Sequence, residues 1–248
     1  MPVAELGPAT GQAFTRAAIA GIREVLVTAD LDTPVPGCPG WTLAALAGHL
    51  GEIHRWVCGA IVEGHPRTPA PEVPRGRDAL VAWYDDGAAT LLDLLARTDP
   101  AAPCWTLDRS GAAASWSRRQ AHEHAVHAVD ARAAVGTTWP LDADLARDGI
   151  DEVARLFFPR QVRLGRIAPL TRSLLVQPDG AATGHLLAGD GLDPRAAAAR
   201  GPAEATVSGP AEALYLLLWG RTGLDDARLR LDGDPGAARA VLGTAIVP

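Results

Sequence analysis

The chain carries seven histidines, and three of them fall within the eleven residues "QAHEHAVHAVD" (120–130), together with the carboxylates Glu123 and Asp130. Imidazole and carboxylate at such density can hold a divalent metal, or can form a solvated charge cluster on a helix. On a helix of about 100° per residue, Glu123, His127 and Asp130 share one narrow arc, at i, i+4 and i+7. Val126, Val129 and Ala133 occupy the adjoining arc, so the carboxylate and imidazole border the buried face. The same projection turns His124 to solvent and puts His122 on the far margin. A second oddity lies upstream. In "LAALAGHLGEIHRWVCGA" the apolar stripe is Ala45, Leu46, Ile53, Trp56, Val57 and Ala60, with His49 in its middle and His54 and Glu52 off it. A histidine on a core face needs a partner, because an unsatisfied buried polar group costs about 1–3 kcal/mol. Two inward ligands at i, i+4 on one helix plus a third from a neighbour is how bundles build internal metal sites. Two histidines and one carboxylate leave a coordination position open, as in catalytic sites. Helix geometry alone leaves the other reading open too: a charge-rich helix face beside one satisfied core histidine.

The elements that must position these residues are helices. Apolar periodicity predicts helices over about 9–29, 43–63 and 77–97, the second capped by Thr42. A fourth is predicted from Ser117, where Ser117-Arg118-Arg119-Gln120 has the form of a capping box, to about Val135. A fifth is predicted over about 141–158, ending before Pro159. Arg118 and Arg119 read as ordinary first-turn residues. Beyond Pro159 the texture changes: "RSLLVQPDGAATGHLLAG" predicts two strands about a Pro-Asp-Gly turn. "ATVSG" and "ARLRLDGD" are strand-like and lead into the helical stretches "PAEALYLLLW" and "PGAARAVLG". The fold class expected is mainly α in two domains: a four-helix bundle over 1–159 and a small α+β domain over 160–248. Gly220 reads as a cap glycine, and Arg221 beside it suits the helix dipole.

Bulk properties narrow the function. At 248 residues the chain can bury a substantial core, and 48% hydrophobic with 21% charged residues is a folded composition. A net charge of −6 without a basic block argues against nucleic acid or an anionic membrane as partner. Neither a secretory signal nor a membrane span of about 20 apolar residues is expected. Cys38, Cys58 and Cys104 form no CxxC pattern, so a reducing cytoplasm is expected. With no further hydrophobic surface evident, a monomer is expected. Phosphate-binding glycine motifs and the GxSxG elbow are absent.

Three segments, "VPGCPGWTLAALAGHLGEIHRWV" (35–57), "WSRRQAHEHAVHAVDA" (116–131) and "VSGPAEALYLLLWGR" (207–221), resemble in order and spacing the mycothiol-dependent maleylpyruvate isomerase family. The likeness spans essentially the whole chain. It implies a DinB-like four-helix bundle followed by a small α+β domain. It also implies that His49, Glu123 and His127 hold a divalent metal, zinc by expectation, and that Arg221 is a catalytic arginine of the carboxyl-terminal domain. The implied cosubstrate is mycothiol, the cysteinyl thiol of actinobacteria. Its thiol would bind the metal as thiolate and add to an electrophilic alkene, allowing rotation and elimination to the trans isomer. An S-transferase on the same core would stop at the adduct. Two other classes stay open: a hydrolase in which the metal activates water, and a non-catalytic module held together by the metal. The loops around 32–37, 63–77 and 104–115 are the expected pocket walls, and they do not identify the electrophile.

Overall fold

The computed structural model describes residues 6–65, 71–192 and 202–248. These form two compact units, Leu6–Pro140 and Leu141–Pro248. The first consists of four long helices, α1 (Pro8–Thr28), α2 (Leu43–Val62), α3 (Arg77–Arg97) and α4 (Ala114–Ala134). Pro8 opens α1, where its missing N–H is no loss. Thr42 caps α2 as expected, its Oγ1 accepting from the Ala45 N–H at 3.3 Å. Helix α1 packs on α4, and α2 on α3. Their shared core is Ile22, Leu26, Leu43, Leu46, Leu50 and Tyr84, all fully buried or nearly so. A second cluster at the other end gathers Val57, Leu91, Leu95 and Trp116, with Trp56 and Trp105 against them. The α2–α3 approach is close enough that a Cβ on Gly51 would lie 2.0 Å from the Trp83 ring. Residues 66–70 of the proline-rich connection lie outside the described residues.

Helix α4 differs from its expected form at its start. It begins at Ala114 without a side-chain cap. The preceding loop is a narrow bridge, Pro103 against Ala112, with Ala113 N–H bonded to Ala102 O at 3.0 Å, and this sends the chain into the helix three residues early. Ser117 therefore sits inside the helix, buried, and its Oγ accepts from Gln12 Nε2 at 3.3 Å.

The second unit begins with α5 (Ala143–Glu152), capped by Asp142, whose carboxylate accepts from the Asp144 and Leu145 N–H groups. A π-helical turn, Val153–Phe157, joins it to α6 (Phe158–Arg163). The helical run thus passes through Pro159 instead of ending before it. Pro159 lies in the first turn of the new segment, where an N–H donor is not required. Helix α5 packs on α7 (Ala211–Leu218), and a Cβ on Gly149 would fall 2.3 Å from the Tyr215 ring. For that reason the compact units divide at 140/141, ahead of the boundary near 159 expected from texture. Strands β1 (Leu170–Pro178), β2 (His185–Gly189), β3 (Ala205–Gly209) and β4 (Arg230–Gly233) form a sheet in the order β2-β1-β3-β4, and α8 (Pro235–Leu242) packs on β1 and β3. Strands β1 and β2 are antiparallel about the expected Pro-Asp-Gly turn, with Gly180 at φ +72°. Strands β1 and β3 run parallel, β3 and β4 antiparallel. Among the described residues no helix is long and apolar enough to cross a membrane.

Candidate metal centre

His49 projects from α2, and Glu123 and His127 from α4, so that the packing of the helices brings three donors to one point. His49 Nε2 lies 3.0 Å from Glu123 Oε1, and His127 Nε2 lies 3.5 Å from the same oxygen. The three donor atoms are all within 4.8 Å of one another. The side chains of His127, Glu123 and His49 are 11%, 18% and 30% exposed, so the cluster is largely enclosed and His49 is its most accessible donor.

The groups behind these donors fix their direction. His127 Nδ1 is 2.9 Å from Asp130 Oδ2, and Asp130 also accepts from the Cys38 thiol at 3.3 Å. With Asp130 ionised, Nδ1 carries the hydrogen and Nε2 is the atom turned to the cluster, the arrangement that metal-ligating histidines use. Glu123 Oε2 accepts from Arg119 at 3.1 Å, which leaves Oε1 for the cluster. The Trp41 indole packs beside both imidazoles, its centroid 4.9 Å from that of His49 at a tilt of 55° and 6.1 Å from that of His127 at 20°. Trp41 is brought there by the tight turn 35–41, closed by Val35 N–H to Trp41 O and Trp41 N–H to Cys38 O.

Electrostatics match this geometry. Burial pushes the Glu123 carboxyl up, but hydrogen bonds from His127 and His49 and the Arg119 charge outweigh it and hold the group well below the usual carboxylate range. Burial pushes His127 down, and its bonds to Asp130, Cys38 and Glu123 outweigh that, raising it well above 6.5. An ionised carboxylate and two imidazoles with aligned nitrogens suit a divalent ion of borderline hardness, zinc among them. Cys38, His127 and Asp130 also bring donor atoms close together. That second group shares the His127 ring with the first, and its hydrogens are already placed on Asp130. We read it as the support of the first group.

The structure thus brings together His49, Glu123 and His127, the three residues the helix projection turned inward. Glu52 is exposed. Arg221 lies in the second unit, directly after the Gly220 cap (φ +69°). Its N–H bonds Leu216 O at 2.8 Å and the Gly220 N–H bonds Leu217 O at 3.0 Å, the paired bonds of a Schellman motif, while its guanidinium donates to Trp219 O at 2.6 Å.

Three histidines expected at the margin or in solvent are buried: His54, His122 and His124. Polar residues on several faces of α4 are enclosed, including Arg119, Gln120, His122, His124 and Asp130, which an apolar-stripe projection cannot anticipate. His54 Nε2 and His124 Nε2 are 2.9 Å apart. Their tautomers follow from one neighbour. His124 Nδ1 is 2.9 Å from the Gln120 carbonyl, which can only accept, so that nitrogen holds the hydrogen. His124 Nε2 must then accept, His54 Nε2 must donate, and His54 Nδ1 is a bare lone pair without a hydrogen-bond partner. Burial, with the neighbouring ring's charge next for His54, lowers both, His124 to about 4, so the pair is neutral at neutral pH. Sequence reasoning missed Arg119, Cys38 and Trp41 as partners of the cluster. The available signal was the continuation of the i, i+4 ladder backward, Arg119-Glu123-His127.

Comparison with known proteins agrees with this architecture. The family model for the mycothiol maleylpyruvate isomerase N-terminal domain matches residues 14–132, and that for the C-terminal domain of the same family matches residues 144–240. No protein of curated function matches the chain. Among solved structures, that of a mycothiol-dependent maleylpyruvate isomerase is similar at 17% identity, with a TM-score of 0.66 over 92% of this chain and 93% of that one. A structure of a mutant of such an enzyme is similar at 16% identity, with the same TM-score and coverage. At these identities the structural likeness speaks for the fold, and the two family matches, which together take in most of the sequence, speak for descent. The chain belongs to the mycothiol maleylpyruvate isomerase family.

Proposed function

We propose that this protein is a mycothiol-dependent isomerase, converting a maleylpyruvate-type cis alkene to its trans isomer, with a divalent metal, zinc, held by His49, Glu123 and His127. The observation that carries the reading is the convergence of those three donors in a chain of this family. When bound, the ion supplies a Lewis-acidic point that keeps the thiol of mycothiol ionised at neutral pH. The protein's own residues do the rest. Asp130 holds the His127 tautomer, and Arg119 holds the far oxygen of Glu123. Trp41 packs against the two imidazoles and gives that side of the cluster an apolar wall. Arg221, its backbone fixed by the Schellman motif, pairs with a substrate carboxylate and stabilises enolate charge. The reaction class is reversible thiolate addition: a C–S bond forms, the lost double bond permits rotation, and the C–S bond breaks to return the thiol. The reading includes a cytoplasmic, monomeric enzyme, in keeping with three free cysteines.

Proton NMR of maleylpyruvate with the holoenzyme and a small amount of mycothiol tests this. Full conversion to the trans isomer with the thiol unconsumed is the expected result. Stoichiometric loss of mycothiol into a stable thioether would instead identify an S-transferase. Cleavage of the substrate by water without any thiol would overturn the proposal in favour of a hydrolase, and thiol-free isomerisation would overturn the role of mycothiol.

A further inference from the structure

Glu123 has two carboxylate oxygens, and they face in different directions. Oε1 looks into the cluster, 3.0 Å from His49 and 3.5 Å from His127. Oε2 looks away and accepts from Arg119 at 3.1 Å, one helical turn earlier on α4. The Arg119 side chain is only 5% exposed. A guanidinium enclosed to that degree is costly unless it is paired, and the i, i+4 spacing seats it behind the carboxylate.

We infer that Arg119 is a positioning residue that keeps Glu123 a one-oxygen ligand and thereby preserves the coordination position that the thiol takes. The inference rests on the metal reading given above. A glutamate whose far oxygen is unoccupied can chelate a cation with both oxygens, as carboxylates do in other metal sites. Two imidazoles and a chelating carboxylate would fill four positions, so that solvent or thiol could enter only as a fifth and more weakly held ligand. With Oε2 bound to a buried cation, chelation requires breaking a charge-assisted hydrogen bond and leaving Arg119 without that partner. The same guanidinium draws charge from the carboxylate, so the ligand is a weaker donor and the ion remains the stronger acid toward its fourth ligand. Cluster and buried arginine thus act together: one assembles the ligands, the other limits how many atoms they offer.

The test is the visible spectrum of the full-length protein loaded with Co2+, compared with that of Arg119→Met at equal measured cobalt content. The wild type is expected to show the intense bands of four-coordinate cobalt. The variant is expected to bind one cobalt and show bands severalfold weaker, as the carboxylate closes onto the ion. A variant spectrum identical to that of the wild type overturns the inference. A folded variant that holds no cobalt overturns it as well, since Arg119 would then be holding Glu123 in place and not limiting its binding mode. If Arg119→Met does not fold, Arg119→Ser, too short to reach Oε2, gives the same comparison. If the wild type itself binds no cobalt, the metal reading fails first, and the inference falls with it. Wild-type bands already weak and five-coordinate would leave the metal reading standing and remove this one.

Discussion

Replacing Asp130 with alanine separates two consequences of one hydrogen bond. Asp130 is 1% exposed and lies 2.9 Å from His127 Nδ1. A hydrogen bond to a charged, buried partner is worth about 1.5–3 kcal/mol. Loss of such support behind a ligating histidine typically weakens metal binding by about 10–100-fold, which is about 1.4–2.8 kcal/mol. The two magnitudes agree, and at high pH the variant should bind zinc about 10–100-fold more weakly. Asp130 also heads the bonds that raise His127 well above 6.5. Metal must displace that proton, so wild-type affinity falls as pH drops through the raised value. In Asp130→Ala the proton is held less tightly and the fall begins at lower pH. The deficit of the variant should therefore shrink as pH is lowered from about 9 toward 6.5, where an ordinary imidazole titrates. Competition with a chromophoric chelator across that range measures it. A ratio near one at high pH, or a constant ratio at every pH, would refute the assignment of Asp130 to His127.

Two further outcomes are expected of the same molecule. The neutral pair His54 and His124 makes the first unit acid-labile. Both rings have folded values below the unfolded 6.5, so their stabilisation is present above 6.5 and is lost as pH falls toward the folded value, about 4 for His124. That ring alone should cost about 2 kcal/mol at pH 5. Urea unfolding in chelator should show the loss, and the double variant His54→Phe, His124→Phe should lack most of it; an equal loss in both proteins would contradict a neutral pair. Arg221→Met should raise KM for the dicarboxylate substrate about tenfold or more, the scale of a lost charge-assisted bond, with bound metal unchanged. Unchanged steady-state kinetics would confine Arg221 to capping α7.

Much of the architecture is legible in the sequence. The spans of α1, α2 and α3, the Thr42 cap, the turn at Gly180 and the strand order of textures from Leu170 onward follow from periodicity and turn chemistry. The cluster was legible because His49, Glu123 and His127 lie on arcs that an apolar stripe defines. Most of what was not legible shares one physical cause. Periodicity assigns polar residues to water, and α4 buries polar residues that find partners on other elements: Ser117 with Gln12, His124 with His54, Asp130 with Cys38. Those partners are separated by 70 to 105 residues in sequence, so no local rule pairs them. The misplaced end of α5 has a different cause. Pro159 normally stops a helix, and the π turn at Val153–Phe157 that lets the chain pass it leaves no mark in the hydrophobic pattern.

The central claim is that this fold joins a metal to a thiol. Calorimetric titration of mycothiol into the protein with one zinc per chain, and into the same protein stripped by chelator, addresses it directly. The account predicts saturable binding near one mycothiol per chain that disappears on stripping, returns with zinc, and is absent from Glu123→Gln. Stoichiometric zinc without mycothiol binding, or mycothiol binding that is indifferent to the metal, would contradict it.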